Sequence, residues 1–430
     1  MTTPDRRTVL KSLATTASLA AIPRIARSAA PLRDEPRLAL IGCGVRARAF
    51  TGRVAYVCDP DAARLAAAAK ANNVPAERAV ADLRRLLDDP AVDGVIVAAP
   101  DHWHAPAAIL AANAGKHVYL EKPCCHNLRE GELLLETARR TGVVIQHGTQ
   151  QRSRPFTRDA IQQLHEGVIG EVLVARAWNV QRRDDIGRKS PAIPPPGVDY
   201  DLWVGPAEFM PFQENRFHTH WHWWHNFGTG DVGNDGAHEL DYAQWGLGVA
   251  GPPTRVAALG GKYRFNDDQQ FPDTATCTFE YAGAQTTGQP KQLVFEMRLW
   301  SKNYPLNCDS GVEFYGTQGQ MFLSKRGKLR ITDDDNKLVQ EIRPEGEAGF
   351  PHLDNFIEAI RNGKSLNAPI PVGVASVAPV HYANIALRVG RTLAIDPSTG
   401  AILEDAEANA LARRQYRAEG HWAIPEGAAT

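Results

Sequence analysis

The chain has 430 residues, of which 43% are hydrophobic and 23% are charged, and its formal net charge at pH 7 is −1. This length exceeds what one ordinary hydrophobic core accommodates, so we expect two domains. Lys and Arg are scattered, so the charge gives no reason to expect nucleic acid or an anionic membrane surface as a partner. The six cysteines do not form a disulfide framework in a chain of this size, and we interpret them as buried small residues.

The first thirty residues have the composition of an export signal. The twin arginine Arg6-Arg7 precedes a modest apolar stretch that ends in Ser28-Ala29-Ala30. That order resembles a signal of the twin-arginine type, and the apolar part is too short and too rich in Ala and Thr to span a bilayer permanently. A disordered basic tail is the alternative. We predict a signal peptide over residues 1–30 and a periplasmic mature protein without a membrane anchor.

The region from Arg37 to about residue 150 alternates short apolar runs with helical patterns, which predicts βαβ units and a parallel sheet. The predicted strands are RLALIGCG, VAYVCD, GVIVAAP, HVYLEKP and VVIQHG, and the predicted helices include DAARLAAAAKA and PAAILAANAG. Gly115 is placed to cap the second helix. Asn127 and Glu130 form a capping box, which predicts a further helix ending at Gly142.

The second half of the chain has a different pattern. QLVFEMRLW alternates apolar and polar residues with a period of two, and similar short strands are expected at EVLVARAW, RVAALG, TATCTFEY and GVEFYG. Such a run of strands predicts a mainly antiparallel sheet. Helices are predicted at HLDNFIEAIRNG and SVAPVHYANIALRVG. The proline-rich SPAIPPPGVDYDLWVGP is too rich in aromatic residues for a flexible linker.

A glycine-rich turn follows the first predicted strand. Gly42-Cys43-Gly44-Val45-Arg46-Ala47 has the pattern G-x-G-x-x-A, which permits a tight turn and lets backbone N–H groups approach a pyrophosphate. Asp59 ends the next strand, where a carboxylate accepts ribose hydroxyls and repels a 2′-phosphate. The combination predicts a Rossmann domain that binds NAD; the alternative is an ordinary glycine turn. Only VRARAFTGR separates the turn from the next strand, so we expect a very short helix there, with Arg46 or Arg48 compensating by direct charge.

Three further segments carry a resemblance to a known family. They are Pro100-Asp101-His102-Trp103-His104, Glu121-Lys122-Pro123 and the segment around His238. With the glycine turn they resemble the Gfo/Idh/MocA oxidoreductases, named for glucose–fructose oxidoreductase and inositol dehydrogenase. The resemblance implies an α/β protein in which a Rossmann domain over residues 36–150 precedes an α+β domain with an open-faced, mainly antiparallel sheet over 151–395. A C-terminal extension over 396–430 follows, and a sugar or polyol binds between the two domains.

The resemblance also implies the roles of individual residues. Lys122 lies beside the nicotinamide and the substrate hydroxyl, and His238 is the acid–base histidine. A histidine with a pKa of about 6.5 can accept the hydroxyl proton, and a lysine cation stabilises the developing alkoxide. Many relatives carry an aspartate four residues before the histidine, where this chain has Asn234; Asp235 or Asp241 are the possible replacements. The cofactor residues implied are Gly42, Gly44, Val45, Arg46, Asp59, Pro100, His104, Glu121, Lys122 and Gln150.

The segment HTHWHWWHNFGTGDVGNDGAHELD, residues 218–241, has two interpretations. On a strand, His218, His220 and His222 would share one face and could hold a metal. The chemistry of the family requires none, and we predict no metal site. The alternative interpretation is an aromatic wall for a sugar, with packing in the core as the competing role. The predicted substrate residues are Arg152 (within GTQQRS), Trp203, Trp221, Trp223, Trp224 and His238.

These features predict an NAD-dependent oxidoreductase that acts on a secondary hydroxyl of a sugar, polyol or glycoside. Because no nicotinamide pool can be assumed outside the cytoplasm, we expect the cofactor to be tightly retained. The alternative is a glycoside hydrolase or lyase that oxidises its substrate transiently, and the intact Glu121-Lys122-Pro123 favours the first reading. A sugar-binding protein with a vestigial cofactor site is the non-enzymatic reading. The open sheet face implied by the family predicts a homo-oligomer.

Overall fold

The computed structural model describes residues 35–284, 286–343 and 350–428. The export signal predicted over residues 1–30 lies outside the described residues. The described part of the chain contains two sheets, the first covered by helices on both faces and the second on one face. The boundary between the two halves of the chain falls after the last strand of the first sheet.

The first sheet has six parallel strands among the described residues, in the order β3-β2-β1-β4-β5-β6. This is the strand order of a Rossmann domain, so the predicted fold of this half is confirmed. Strands β1 and β4 are buried along their whole length because helices cover both faces. The strands are β1 (Leu38–Ile41), β2 (Tyr56–Cys58), β3 (Ala79–Val80), β4 (Gly94–Val97), β5 (His117–Leu120) and β6 (Ile145–His147). The helices are α1 (Ala62–Asn72), α2 (Arg84–Asp88), α3 (Asp101–Asn113) and α4 (Leu128–Thr141).

Helix α4 begins and ends as its sequence predicts. The Asn127 side chain accepts a hydrogen bond from the Glu130 backbone N–H at 3.0 Å, and Gly142 ends the helix with a φ of 66°. Helix α3 differs, because it begins at Asp101 and contains Pro106, which we predicted at its start. Pro106 lacks the N–H that would bond to the carbonyl of His102. Arg414 supplies the missing donor, since its Nη2 lies 2.8 Å from the His102 carbonyl oxygen.

The second sheet has nine strands in the described part of the chain, in the order β14-β13-β12-β11-β7-β10-β9-β8-β15. All neighbouring pairs are antiparallel except β7 and β10, so the predicted mainly antiparallel sheet is confirmed. The strands are β7 (Val172–Val180), β8 (Arg255–Gly261), β9 (Thr274–Gly283), β10 (Pro290–Arg298), β11 (Ser310–Gly316), β12 (Gly319–Leu323), β13 (Leu329–Asp333), β14 (Leu338–Ile342) and β15 (Leu393–Ala394). The remaining helices are α5 (Pro155–His165), α6 (Tyr200–Val204), α7 (Gly230–Asn234), α8 (Gly236–Leu247), α9 (Pro351–Asn362), α10 (Ile370–Val389) and α11 (Ala406–Ala410).

The two faces of this second sheet differ. Leu293, Phe295 and Met297 of β10 are buried in the core that α8 and α10 cover, as the alternating pattern predicts. The opposite face carries an ion-pair network in which Arg176 contacts Glu296 at 3.3 Å and Glu313 at 3.4 Å. Helix α10 is long and apolar enough to cross a membrane, but 67% of its most apolar window is buried inside the fold, as in a core helix.

The cysteines are unpaired in the structure. Five of the six are buried, and Cys308 is partly exposed. The Sγ atoms of Cys124 and Cys125 lie 4.0 Å apart.

Candidate active site

A cavity of about 480 Å³ lies at the carboxyl ends of the parallel strands. In a Rossmann sheet this edge, at the point between β1 and β4 where the strand order reverses, is where dinucleotides bind. The Rossmann half lines the cavity with Gly42, Gly44, Val45, Arg46, Asp59, Pro100, Asp101, His104, Glu121 and Lys122, among others. The second half contributes Arg183, Trp203, His218, Trp221, His222, Trp223, Asn234 and Asp235, and Trp422 comes from the C-terminal segment.

The glycine turn packs closely against the backbone that follows β4, which requires glycine at position 42. Gly42 has a φ of 91°, and a Cβ atom there would lie 2.6 Å from the backbone nitrogen of Ala99. The 3-10 helix Arg46–Phe50 follows, which confirms the prediction of a very short helix. The Arg46 Nε donates to the Glu121 carboxylate at 2.6 Å, whereas its buried Nη2 has no hydrogen-bond partner among the described residues. An unsatisfied guanidinium donor beside the glycine turn suits an anionic ligand such as a pyrophosphate.

Asp59 follows β2 at the cavity edge. Its two oxygens accept hydrogen bonds from the backbone N–H groups of Cys43 at 2.7 Å and Asp61 at 2.9 Å. Burial raises the pKa of Asp59 above its ordinary value, although these two hydrogen bonds oppose the rise. A carboxylate has about four acceptor positions, so two remain for ribose hydroxyls. The residues present therefore fit NAD at the glycine turn and at the ribose.

The other predicted cofactor residues form a supporting network. Glu121 accepts from Gln150 at 3.0 Å as well as from Arg46, and Gln150 acts through Glu121 because the described cavity lining does not include it. The buried His104 has one ring nitrogen 2.6 Å from the Pro123 carbonyl oxygen and the other 2.8 Å from that of Ala99. His104 thus ties the Glu-Lys-Pro turn to the end of β4.

Lys122 lies at the cavity wall and is connected through Asn234 to a group of charged side chains. Its Nζ donates to the backbone carbonyl of Asn234 and lies 3.4 Å from the Asn234 Oδ1. The Asn234 side chain in turn donates to Asp231 at 2.8 Å. Arg183 lies 3.3 Å from Asp231 and also bonds to Asp235. The amide at position 234 therefore links the lysine to a buried carboxylate.

His238 lies one turn further along, on α8, and is largely buried. Burial lowers its pKa well below the ordinary value, and the positive charges of Lys122 and Lys325 act in the same direction. The imidazole is therefore neutral near pH 7 and has an unprotonated ring nitrogen, and the lowered pKa also makes it a weaker base than an exposed histidine. The residues described as lining the cavity include Asn234 and Asp235 but not His238. Burial raises the pKa of Asp235, but Lys325, Arg183 and Lys122 more than offset this and lower it, so the carboxylate stays ionised.

Two further predicted substrate residues, besides His238, lie away from the described cavity lining. The Nε of Arg152 donates to both carboxylate oxygens of Asp241, at 2.9 and 3.0 Å, so Arg152 is bound in an ion pair away from the described cavity lining. The same pair occupies Asp241, one of the two carboxylates considered as the replacement for the relay aspartate. The Trp224 indole donates to the Asn215 carbonyl at 2.8 Å within an aromatic cluster, which makes Trp224 a packing residue.

The histidine-rich segment is not a strand. Residues His218–Trp223 form a 3-10 helix, so His218, His220 and His222 do not share one face in the way that the metal hypothesis requires. Trp203, Trp221 and Trp223 do line the cavity. The buried Trp223 Nε1 has no hydrogen-bond partner in the described part of the chain.

Comparison with known proteins assigns the family. Residues 26–149 match the NAD-binding Rossmann fold of the Gfo/Idh/MocA oxidoreductase family, and residues 177–282 and 305–424 match the C-terminal alpha/beta domain of that family. The chain belongs to the Gfo/Idh/MocA oxidoreductases. It is therefore an NAD-dependent oxidoreductase of a family of sugar and polyol dehydrogenases.

Individual relatives are distant. The chain is 24% identical to the NAD-dependent scyllo-inositol 2-dehydrogenase of Bacillus subtilis over 320 residues, 72% of this chain and 79% of that protein. It is 32% identical to the 1,5-anhydro-D-fructose reductase of Ensifer adhaerens over 57% of this chain and 69% of the relative. Among solved structures, the aldose-aldose oxidoreductase of Caulobacter crescentus matches with a TM-score of 0.64 at 17% identity, over 84% of this chain and 100% of that one. The last likeness concerns the fold.

Several polar residues of this Gfo/Idh/MocA site were not identified from the sequence. Arg183 follows β7, and the charged run QRRDD at that strand end was the available signal. His222, which the sequence suggested only as a metal ligand, lines the cavity, and burial lowers its pKa to about 3. Lys325, in the turn between β12 and β13, forms an ion pair with the buried Glu239 at 3.0 Å, and no local pattern indicates its proximity to α8.

Proposed function

We propose that this enzyme oxidises a secondary hydroxyl of a sugar, polyol or glycoside, with NAD held in the cavity throughout the cycle. The observation that carries the proposal is that Lys122 and Asn234 line the same cavity as the glycine turn and Asp59. The cavity wall formed by Trp203, Trp221 and Trp223 supports a carbohydrate, because sugar C–H faces pack on aromatic rings. The names of the relatives, which act on inositol and anhydrofructose, support the same substrate class.

The side chains divide the proton chemistry between them. Bound NAD supplies the hydride acceptor. The Lys122 ammonium stabilises negative charge on the substrate oxygen as its proton leaves. Neutral His238 accepts that proton, since the Asp235 carboxylate is occupied by its ion pair with Arg183. Asn234 fixes the lysine position through the two contacts to its Nζ.

Retention of the cofactor is supported by the proline-rich segment of the second half. The Ala62 backbone N–H donates to the Gly197 carbonyl, and that of Asp199 donates to the Pro60 carbonyl, both at 2.9 Å. The segment thus reaches the strand end that carries Asp59. With the proposed export through residues 1–30, a folded protein carries its NAD along. With a retained cofactor, a second substrate or an intermediate would have to take the hydride back within each cycle.

A glycoside hydrolase or lyase reaction is the second candidate. It is favoured by Asn234, which cannot balance an imidazolium charge as the usual aspartate does. The family 109 glycosyl hydrolase protein 2 of Shewanella is 31% identical to this chain over 209 residues, although the match covers only 45% of that relative. In this reaction the oxidation is transient, and the glycosidic bond is eliminated before water adds and the ring is reduced again.

Product analysis separates the two candidates. Purified enzyme is incubated with a panel of sugars, polyols and aryl glycosides, and the products and the nicotinamide redox state are quantified by mass spectrometry. A keto product with an equal amount of reduced cofactor or reduced second sugar supports the oxidoreductase. A free reducing sugar without net redox change supports the hydrolase. The absence of any product from every secondary alcohol tested would contradict both.

We also propose that the protein is a homo-oligomer through the open face of the second sheet. That face carries the ion-pair network around Arg176 described above, together with the partly exposed Tyr315. Sedimentation equilibrium at low and high salt measures the assembly. A monomer at all protein concentrations would refute this proposal.

A further inference from the structure

We propose that the C-terminal segment, residues 411–428, is part of the NAD site and that Trp422 closes its adenine end. The inference rests on the proposed retention of NAD in the cavity. It assigns a ligand contact to a part of the chain that lies outside both sheets and follows the last helix, α11.

The strand order determines which end of the dinucleotide this is. Lys122 follows β5, where the nicotinamide reacts, and Asp59 follows β2, where the ribose binds. Strand β3 is the next strand beyond β2 at the edge of the sheet. A dinucleotide that spans from Lys122 to Asp59 therefore extends its adenine toward the residues that follow β3. Residues 81–83 follow β3 and line the cavity together with Trp422.

The segment is fixed at both ends to the Rossmann half. Near its start, Arg414 donates to the His102 carbonyl at 2.8 Å and forms an ion pair with the buried Glu130 at 2.7 Å. Near its end, Arg129 donates to the Gly427 carbonyl at 3.2 Å. Between these anchors, Ala423 and Ala428 are buried in the core that α3 and α4 share. The segment is thus an integral part of the wall.

A further contact joins the segment to the second half of the chain. Arg417 donates to the Asp201 carboxylate at 2.6 Å and to the Asp201 carbonyl at 3.0 Å. Asp201 belongs to α6, the helix that also presents Trp203 to the cavity. The segment therefore crosses from one half of the molecule to the other beside the cavity mouth, where it can oppose release of the bound cofactor.

The surroundings of Trp422 suit a purine. Its ring packs on Trp103, with centroids 5.8 Å apart, and the Arg84 guanidinium lies 4.4 Å from the ring centroid. Asp82 holds Arg84 in place, since the Arg84 Nε donates to both Asp82 carboxylate oxygens, at 3.1 and 2.9 Å. The part of the indole that faces the cavity offers an aromatic surface to the base. Aromatic stacking of one base strengthens binding about tenfold.

The test compares Trp422→Ala with wild type and with Trp300→Ala. Trp300 is a partly exposed tryptophan of the second sheet domain, outside the cavity lining that the structure describes, so it serves as the matched control. Protein stripped of cofactor is titrated calorimetrically with NAD and with ADP-ribose, which keeps the adenosine half and lacks the nicotinamide. We expect Trp422→Ala to raise both dissociation constants about tenfold. Trp300→Ala should change neither, and Trp422→Phe should recover most of the affinity.

Each outcome has a distinct meaning. If the wild type binds neither ligand, the proposed function fails. If the wild type binds both and Trp422→Ala binds them within twofold of it, the inference is refuted while the proposed function stands. A loss for NAD without a loss for ADP-ribose also overturns the inference, because the contact would not be with the adenine half. If Trp422→Ala fails to fold, Trp422→Leu keeps the apolar contact with Trp103 and is subject to the same outcomes.

Discussion

Restoring an aspartate at position 234 should destabilise the protein in a pH-dependent way. In Asn234→Asp the nitrogen that donates to Asp231 at 2.8 Å becomes an oxygen, while the other oxygen stays 3.4 Å from the Lys122 Nζ. At an effective dielectric constant of about 20, the repulsion is about 6 kcal/mol and the attraction about 5 kcal/mol. The lost hydrogen bond to a charged acceptor costs about 2 kcal/mol more. The net loss in the free energy of unfolding at pH 8 is therefore about 3 kcal/mol.

A shared proton relieves this repulsion at low pH. The pair of carboxyls binds a proton more tightly in the folded variant than in the unfolded chain, where the aspartate pKa is about 3.9. The destabilisation is thus small near pH 4 and grows as the pH rises through the raised folded pKa. Urea unfolding at pH 5 and pH 8 measures it, with Asn303→Asp, at an exposed asparagine, as the control for added charge. An Asn234→Asp variant as stable as the control at both pH values would refute the geometry assigned to Lys122, Asn234 and Asp231.

Three further outcomes are expected. Lys122→Ala should lower kcat about 10²- to 10³-fold in steady-state kinetics, while the dissociation constant for NAD, measured by calorimetry, changes less than about threefold. Full activity of this variant would exclude the lysine from the chemistry. Lys325→Gln removes a positive charge that helps to lower the pKa of His238. The pKa of His238 should therefore rise, and the acid limb of the plot of kcat/KM against pH should move to higher pH. An acid limb that does not move would contradict the role of His238. Asp59→Ala should weaken NAD binding about 30-fold, which is about 2 kcal/mol, and should weaken NADP binding less, as measured in parallel titrations. An equal loss of affinity for both cofactors would refute the ribose contact.

The sequence was sufficient to predict the parts of the fold that depend on local patterns. The five predicted strands of the first half all form, because each is a short apolar run buried on both faces. The Asn127 cap and Gly142 define α4 through contacts within a few residues. The 3-10 helix at residues 46–50 followed from the spacing alone.

The predictions that failed depend on contacts between distant segments. The sequence predicts that α3 starts at Pro106, whereas it starts at Asp101. The donor that satisfies the His102 carbonyl lies more than three hundred residues away, on Arg414, so the local sequence does not indicate it. Arg152 is predicted to contact the substrate, but it pairs with Asp241. Asp241 belongs to another helix, and a pairing between distant segments leaves no sequence pattern. The alternating histidines suggested a strand, whereas the bulky tryptophans between them pack into an aromatic cluster on a 3-10 helix.

The most direct test of the central claim is the nicotinamide content of the protein as it is purified. The protein is isolated without added cofactor and denatured, and the released nucleotide is quantified by mass spectrometry. We predict close to one NAD or NADH per chain. An empty site that binds no added NAD would contradict the assignment of the cavity, and an empty site that binds and releases NAD freely would contradict the retention of the cofactor through the reaction cycle.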